Sequence, residues 1–221
     1  MKKITALRSG RGRSQRVNIF LDGKFAFSLE AEVAAREGLQ TEQELSTERI
    51  EALTRHDQLQ RCLNAAIHCL SYRPRSESEL RVRLHQRGFD GDNTEAAINR
   101  LKEQGLVDDI AFAQFWKDNR ESFSPRSRGL TGLELRRKGI ANDIIDQVVG
   151  AINDDDSAYR AALSKTRRLR RSDHESFRRQ LGNYLKRRGF SYEVTINTVE
   201  RVWQEQGNRD MKMESSYHQP S

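Results

Sequence analysis

Tyr72-Arg73-Pro74-Arg75-Ser76-Glu77-Ser78-Glu79-Leu80-Arg81-Val82-Arg83-Leu84-His85-Gln86-Arg87-Gly88-Phe89 reads as one complete helix with both of its ends written in. Pro74 breaks whatever precedes it, because its ring clashes with a continuing helix and its nitrogen cannot donate. Ser76 and Glu79 stand at the S-x-x-E spacing in which each side chain covers a backbone N–H of the first turn. Leu80 and Leu84 are four apart and share one face. Gly88 sits where a left-handed C-cap is wanted, and Phe89 can fold back as its apolar partner. Arg81, Arg83 and Arg87 point outward, so the helix is amphipathic with a basic outer face.

The same ending occurs twice more. Leu84 through Gly88-Phe89 is matched by Leu135 through Gly139-Ile140 and by Leu185 through Gly189-Phe190. Each is a Leu, two polar residues, a cation, Gly and a large apolar residue. Ten residues after each glycine comes Ile98, Val149 or Val199, and thirteen after comes Leu101, Ile152 or Val202. A period of about 50 residues with fixed apolar offsets marks a tandem repeat. Thr131 departs from the pattern, standing where the other copies have Leu80 and Leu181; Leu130 or Leu133 is expected to fill that gap.

Composition narrows the class. The 221 residues are 35% hydrophobic and 32% charged, enough for several modest cores rather than one large one. The formal net charge of +7 points to polyanionic or acidic partners. No apolar run approaches the roughly 18 residues of a membrane span, and the amino terminus lacks a signal-peptide core. Cys62 and Cys69 are seven apart, a helical-face spacing and neither a disulfide nor a metal pattern. Buried thiols in a reducing compartment follow, and a cytoplasmic location is expected.

The amino-terminal segment is of another kind. Val17, Ile19 and Leu21 alternate with polar residues, Asp22-Gly23 follows, and Phe25, Phe27 and Leu29 alternate again. An Asp-Gly pair between two period-2 runs predicts a hairpin, to which Ile4–Leu7 can add a third strand. A short helix from Glu30 to Glu37 ends at Gly38, and Ser46 opens another carrying Ile50 and Leu53. The expected architecture is mainly α. It has a small α+β module at 1–57, three-helix repeats at 58–107, 108–153 and 154–207 in an elongated curved array, and a disordered tail at 208–221. Third helices are expected to be capped at Asn93 and Asn142 or to run from about Tyr192 to Gln206. Ser172 and Glu175 repeat the capping-box spacing.

Charge concentrates in the last repeat. Eleven Lys or Arg fall between Arg160 and Gly189 against two acidic residues, more than helix-end preference explains. Arg167, Arg168, Arg170 and Arg171 form the densest cluster, and Lys186, Arg187 and Arg188 close the next helix. Arg136, Arg137 and Lys138 hold the equivalent place in the second repeat; Arg73, Arg75 and Arg81 are the candidates in the first. Aromatics fall mostly inward by periodicity, which argues against a stacking platform for single strands. The five histidines share no metal spacing, and no phosphate loop, dinucleotide fingerprint or nucleophile elbow is present. Asp108-Asp109 reads as an acidic helix start rather than a metal pair. No enzyme and no cofactor is expected.

Several pieces taken in order carry a family resemblance. They are Arg73-Pro74-Arg75-Ser76 with Glu79-Leu80, Leu84 and Gly88-Phe89; Gly105-Leu106-Val107-Asp108-Asp109 with Phe112-Ala113; and Glu134-Leu135 with Lys138-Gly139-Ile140. Over nearly its full length, the hairpin included, the chain resembles RecX, the bacterial regulator of the RecA recombinase. The resemblance implies tandem three-helix repeats lying along the RecA–DNA filament. It also implies a role in DNA repair, recombination and the SOS response, by capping or loosening the filament and lowering ATP hydrolysis and strand exchange. The expected partners are the RecA filament and, weakly and salt-sensitively, single- and double-stranded DNA, with the chain a monomer. Leu80, Leu84, Gly88, Asp109 and Phe112 are assigned to folding. A direct, electrostatic DNA-binding protein is the alternative.

Overall fold

A computed structural model of the chain describes residues 1–10, 16–167, 169 and 173–216, the side chains of 208–216 excepted. Strands β1 (Lys2–Ser9), β2 (Arg16–Leu21), β3 (Lys24–Glu30) and β4 (Glu44–Leu45) form an antiparallel sheet in the order β3-β2-β1-β4. Asp22 and Gly23 both take positive φ, 48° and 79°, as the tight turn of the predicted hairpin requires. The alternation of β3 fails at one place. Ile19 pairs with Phe27 but Phe20 pairs with Phe25, so a bulge puts Phe25 on the outer face, 59% exposed against the edge of Phe20. The two-residue β4, too short to show a period, was not foreseen.

Helix α1 (Ala31–Arg36) stops before Gly38, at φ +62°. Helix α2 (Thr47–Leu70) starts at Ser46, whose hydroxyl accepts from the Arg49 amide at 3.2 Å. Its first half gives Ile50 and Leu53 to the sheet's core; its second half gives Cys62, Leu63, Ala66 and Cys69 to the core of the first repeat. Between them Asp57, buried, accepts from the Glu30 amide at 2.7 Å and the Arg16 guanidinium at 2.9 Å. A buried carboxylate met by an amide and a cation ties helix to sheet. The helix therefore runs straight through the expected boundary at 57/58. The chain forms two compact units, Met1–Asp108 and Asp109–Ser221.

The first unit is completed by α3 (Glu77–Gln86) and α4 (Gly91–Glu103). The second contains α5 (Asp109–Phe123), α6 (Arg128–Arg137), α7 (Asn142–Val149), α8 (Asp154–Thr166), α9 (His174–Arg187) and α10 (Tyr192–Ser216). Each group of three helices surrounds its own apolar cluster, with Leu80, Leu84, Ile98 and Leu101 central in the first, Leu135, Ile145, Val149 and Ile152 in the second, and Leu181, Leu185, Val199 and Val202 in the third. Gly88, Gly139 and Gly189 end α3, α6 and α9 at φ of +86°, +79° and +86°. The amides of Phe89, Ile140 and Phe190 then turn back to the carbonyls of Leu84, Leu135 and Leu185. This is the predicted glycine cap, with its apolar partner folded inward.

The helix starts need correction. Ser76 caps α3 as expected, accepting from the Glu79 amide at 3.1 Å. Asp90, not Asn93, caps α4: its carboxylate accepts from the amide of Asn93 at 2.8 Å. Helix α7 begins after Ala141 with no side-chain cap, and Asn142, its first residue, accepts instead from Arg136. Asp173 caps α9 through the Ser176 amide at 2.9 Å, while Ser172 lies outside the described residues. These amides hold the carboxyls of Asp90 and Asp173 below the usual range. Helix α10 continues to Ser216, past the expected end, and residues 217–221 of the expected tail lie outside the described residues.

Thr131 is itself buried, whereas Leu130 is only half-buried and Leu133 exposed, so neither leucine replaces Leu80. Size is recovered across the helix pair. Six residues after the glycine the first and third repeats carry Thr94 and Thr195; the second carries the fully buried Ile145. A Cβ on Gly132 would lie 3.3 Å from Ile145 Cγ2, so small residues on α6 make room for a large one on α7.

Gly88 and Gly189 share the same φ but not the same neighbours. A Cβ on Gly88 meets nothing within 4 Å; one on Gly189 would lie 2.6 Å from Ser127 Oγ and 2.7 Å from Leu130 Cβ. Gly88→Ala should cost about 1–2 kcal/mol from backbone strain alone. Gly189→Ala should lose about 1–3 kcal/mol more through overpacking. Urea unfolding of the two variants checks the difference. Burial pushes the Cys62 thiol up to about 11, so at pH 8 it should react with a thiol reagent only as the first unit opens.

Candidate functional site

The cations picked out in the sequence divide into those the fold uses and those it leaves outward. Arg73 makes two bonds of 2.9 Å to the Glu79 carboxylate beside the start of α3. Arg75 is buried, and its Nε donates to the Cys69 carbonyl at 2.9 Å, closing the end of α2. That burial, with Arg73 and Arg83 nearby, lowers the Arg75 pKa. Arg81 reaches across to α4, with Nη2 3.0 Å from Glu95. All three serve the packing of the first repeat.

In the second repeat Arg136 donates to Asn142 at 3.1 Å, joining α6 to α7. Lys138 lies with Nζ 4.1 Å from the centroid of the Trp116 ring, a cation–π contact onto α5. Beside it Glu134, 12% exposed, accepts from Trp116 Nε1 at 2.9 Å and Arg120 Nε at 2.8 Å, and pairs with Arg126. Arg137 is exposed and makes no hydrogen bond or ion pair among the described residues.

Arg188 is a fastening inside the second unit. Its Nη1 donates to Ser124 Oγ at 3.0 Å and to the Pro125 carbonyl at 2.8 Å, and its guanidinium lies 4.6 Å from the Tyr184 ring centroid. Its own carbonyl accepts from the Ser127 amide at 3.1 Å. The end of α9 is thereby held on the start of α6, where Gly189 also packs. Arg160 adds a second tie, reaching Glu121 of α5.

Arg167, Lys186 and Arg187 remain exposed, without an ion pair among the described residues; Arg168, Arg170 and Arg171 lie outside them. Two cations that the sequence reading passed over belong with this set. Arg178 and Arg179 are exposed on α9 and flank a groove between α9 and α10 that Lys186 also lines. Their signal in the sequence is the count of cations between Arg160 and Gly189, in which the denser runs at either end outweigh them. The outward set is thus Arg137, Arg167, Arg178, Arg179, Lys186 and Arg187. Of these, Arg178, Arg179 and Lys186 line one groove, which attracts anionic groups over about the 8–10 Å of a Debye length. No cluster able to hold a metal occurs among the described residues.

Residues 2–46 match the sequence model described as the regulatory protein RecX N-terminal domain, and residues 62–101 match that of RecX, first three-helix domain. Regulatory protein RecX of Clostridium botulinum (strain Eklund 17B / Type B) is 29% identical over 208 residues, 91% of this chain and 97% of that protein. The RecX of Listeria welshimeri is 28% identical over 195 residues, 87% of this chain and 72% of its own. A crystal structure of regulatory protein RecX, 27% identical, superposes with a TM-score of 0.64 over 88% of this chain and 97% of that one. That of RecX from Lactobacillus salivarius, 21% identical with a TM-score of 0.56 over 66% of this chain, shares the fold.

Arg188→Ala should destabilise the second unit by about 1–3 kcal/mol, since it strips charge-assisted bonds from a half-buried contact. Arg137→Ala should leave thermal unfolding unchanged within about 0.5 kcal/mol. Melting curves followed by circular dichroism separate the two.

Proposed function

We propose, from the premise that the chain belongs to the RecX family, that it is a negative modulator of the RecA recombinase, binding the RecA–DNA filament and lowering its ATP hydrolysis and strand exchange. The observation that carries this reading is the outward set of cations on the second unit, from Arg137 to Arg187, each without an ion-pair partner among the described residues. A RecA–DNA filament offers protein carboxylates and DNA phosphates together, and outward cations can engage either. Contacts that are weak singly add through effective concentration when repeats of one chain meet repeating subunits. The working form in this reading is a cytoplasmic monomer whose direct contacts with single- and double-stranded DNA are weak and salt-sensitive. No helix among the described residues is long and apolar enough to cross a membrane.

The test is RecA ATP hydrolysis on single-stranded DNA, with the chain titrated in at about physiological ionic strength. The expected result is a fall at amounts well below one copy per RecA monomer, blunted by charge reversal at Arg167 and Arg187. A fall seen only when the protein coats the free DNA would identify a direct DNA-binding protein that competes with RecA, and the filament reading would be wrong.

A further inference from the structure

The three repeats put the same groove, between their second and third helices, to different uses. Seven residues before the glycine stand Arg81, Gly132 and Gly182; seven after it stand Glu95, Asp146 and Ile196; eleven before it stand Glu77, Arg128 and Arg178. In the first repeat the groove is filled and neutralised from within. Arg81 pairs with Glu95 and lies 3.9 Å from Glu77, which takes Lys102 at 2.6 Å. In the second, Gly132 packs closely under Ile145, where a Cβ would crowd Cγ2, and Arg128 turns away to the Ile152 carbonyl at 3.3 Å.

The third repeat shares the glycine and the arginine of the second but puts them to another use. A Cβ on Gly182 would lie 3.8 Å from Thr195 Cγ2, an ordinary contact, so helix packing does not ask for glycine here. Its effect is to leave open a groove of about 370 Å³. The acid at the position of Glu77 has become Arg178, the acid at the position of Glu95 has become Ile196, and Arg179 and Lys186 add charge along the same wall. Tyr192, 68% exposed, and the half-buried Ile196 supply an apolar side. Among the described residues Glu175 is the one acid lining it.

We infer that the groove between α9 and α10 is a docking site for an acidic polypeptide segment, whose carboxylates meet Arg178, Arg179 and Lys186 and whose apolar side chains cover Ile196 and Tyr192. The partner supplies what Glu77 and Glu95 supply internally in the first repeat. Guanidinium groups bind carboxylates through paired, directed hydrogen bonds. A phosphate backbone would satisfy the cations equally but would leave Ile196 and the Tyr192 ring uncovered, whereas a segment alternating acidic and apolar residues satisfies both sides of the groove. The inference rests on the proposed function only in taking the protein part of the filament as the source of that segment.

The full chain would be titrated against a fluorescein-labelled peptide of alternating Glu and Leu, and separately against a labelled oligothymidylate of equal charge, by fluorescence anisotropy. Two variants are compared: R178E/R179E, which reverses the wall, and G182R/I196E, which copies the closure seen in the first repeat. Both should keep their helical melting profile and bind the peptide at least tenfold more weakly, a change of about 1.4 kcal/mol or more. G182R/I196E should change oligothymidylate binding less than twofold. If the unaltered chain ignores the peptide, or both variants bind it undiminished, the groove is not an acidic docking site. Should G182R/I196E lose oligothymidylate in step with peptide, the groove holds phosphate and the inference is overturned. Should G182R/I196E unfold, R178E/R179E with undiminished peptide binding overturns it alone. Peptide binding without any effect on RecA ATP hydrolysis would sink the proposed function and leave the groove standing; the converse would sink the groove alone.

Discussion

At Gly88, Gly139 and Gly189 the chain leaves a helix through positive φ, and the next amide hydrogen-bonds back to a leucine carbonyl five residues earlier. That turn fixes the angle at which the third helix of each repeat returns along the second, and it swings Phe89, Ile140 or Phe190 toward the apolar interior. An L-side chain at the glycine would strain the backbone in all three copies. With the turn fixed, Leu84, Leu135 and Leu185 face Ile98, Val149 and Val199 across the same interval, and each repeat closes a core of its own.

A geometry held so firmly leaves the side chains around it free to differ. The first repeat fills its inter-helix groove with Arg81 and Glu95. The second exchanges large for small across the helix pair, Thr131 and Gly132 on one side and Ile145 on the other. The third drops the filling residue at Gly182 and lines the space with cations. Repetition of fold and division of labour therefore arise from the same constraint.

Much of this could be read from the sequence because it is local. The Ser76 cap, the glycine stops and the Asp22-Gly23 turn each depend on hydrogen bonds spanning at most five residues, so their signals sit side by side in the chain. Where two residues able to cap stand close together, as Asp90 and Asn93 do, the pattern cannot choose between them; the carboxylate takes the role because Asn93 lies three residues on and offers its amide. The bulge beside Phe25 leaves no mark in the alternation of β3. Least legible was which cations are free. Arg81 is neutralised by Glu95 on another helix and Arg188 is anchored at Ser124, 64 residues away in sequence, so a row of basic residues does not disclose whether its charge is already spent. Arg178 and Arg179 stand between denser cation runs in the chain, and only the fold shows that they share a groove with Gly182 and Lys186.

Helix α2 also sets an order of events during synthesis. The sheet module has all four strands by Leu45, yet its core still lacks Leu53, and Arg16 and the Glu30 amide lack the Asp57 carboxylate. The other end of the same helix exposes Cys62, Leu63 and Ala66 until Leu80, Leu84, Ile98 and Leu101 have been made. An emerging chain must therefore carry an incompletely shielded sheet until Leu53 and Asp57 have been made, and the uncovered second half of α2 until Leu101 follows, the two cores closing in turn on one shared helix.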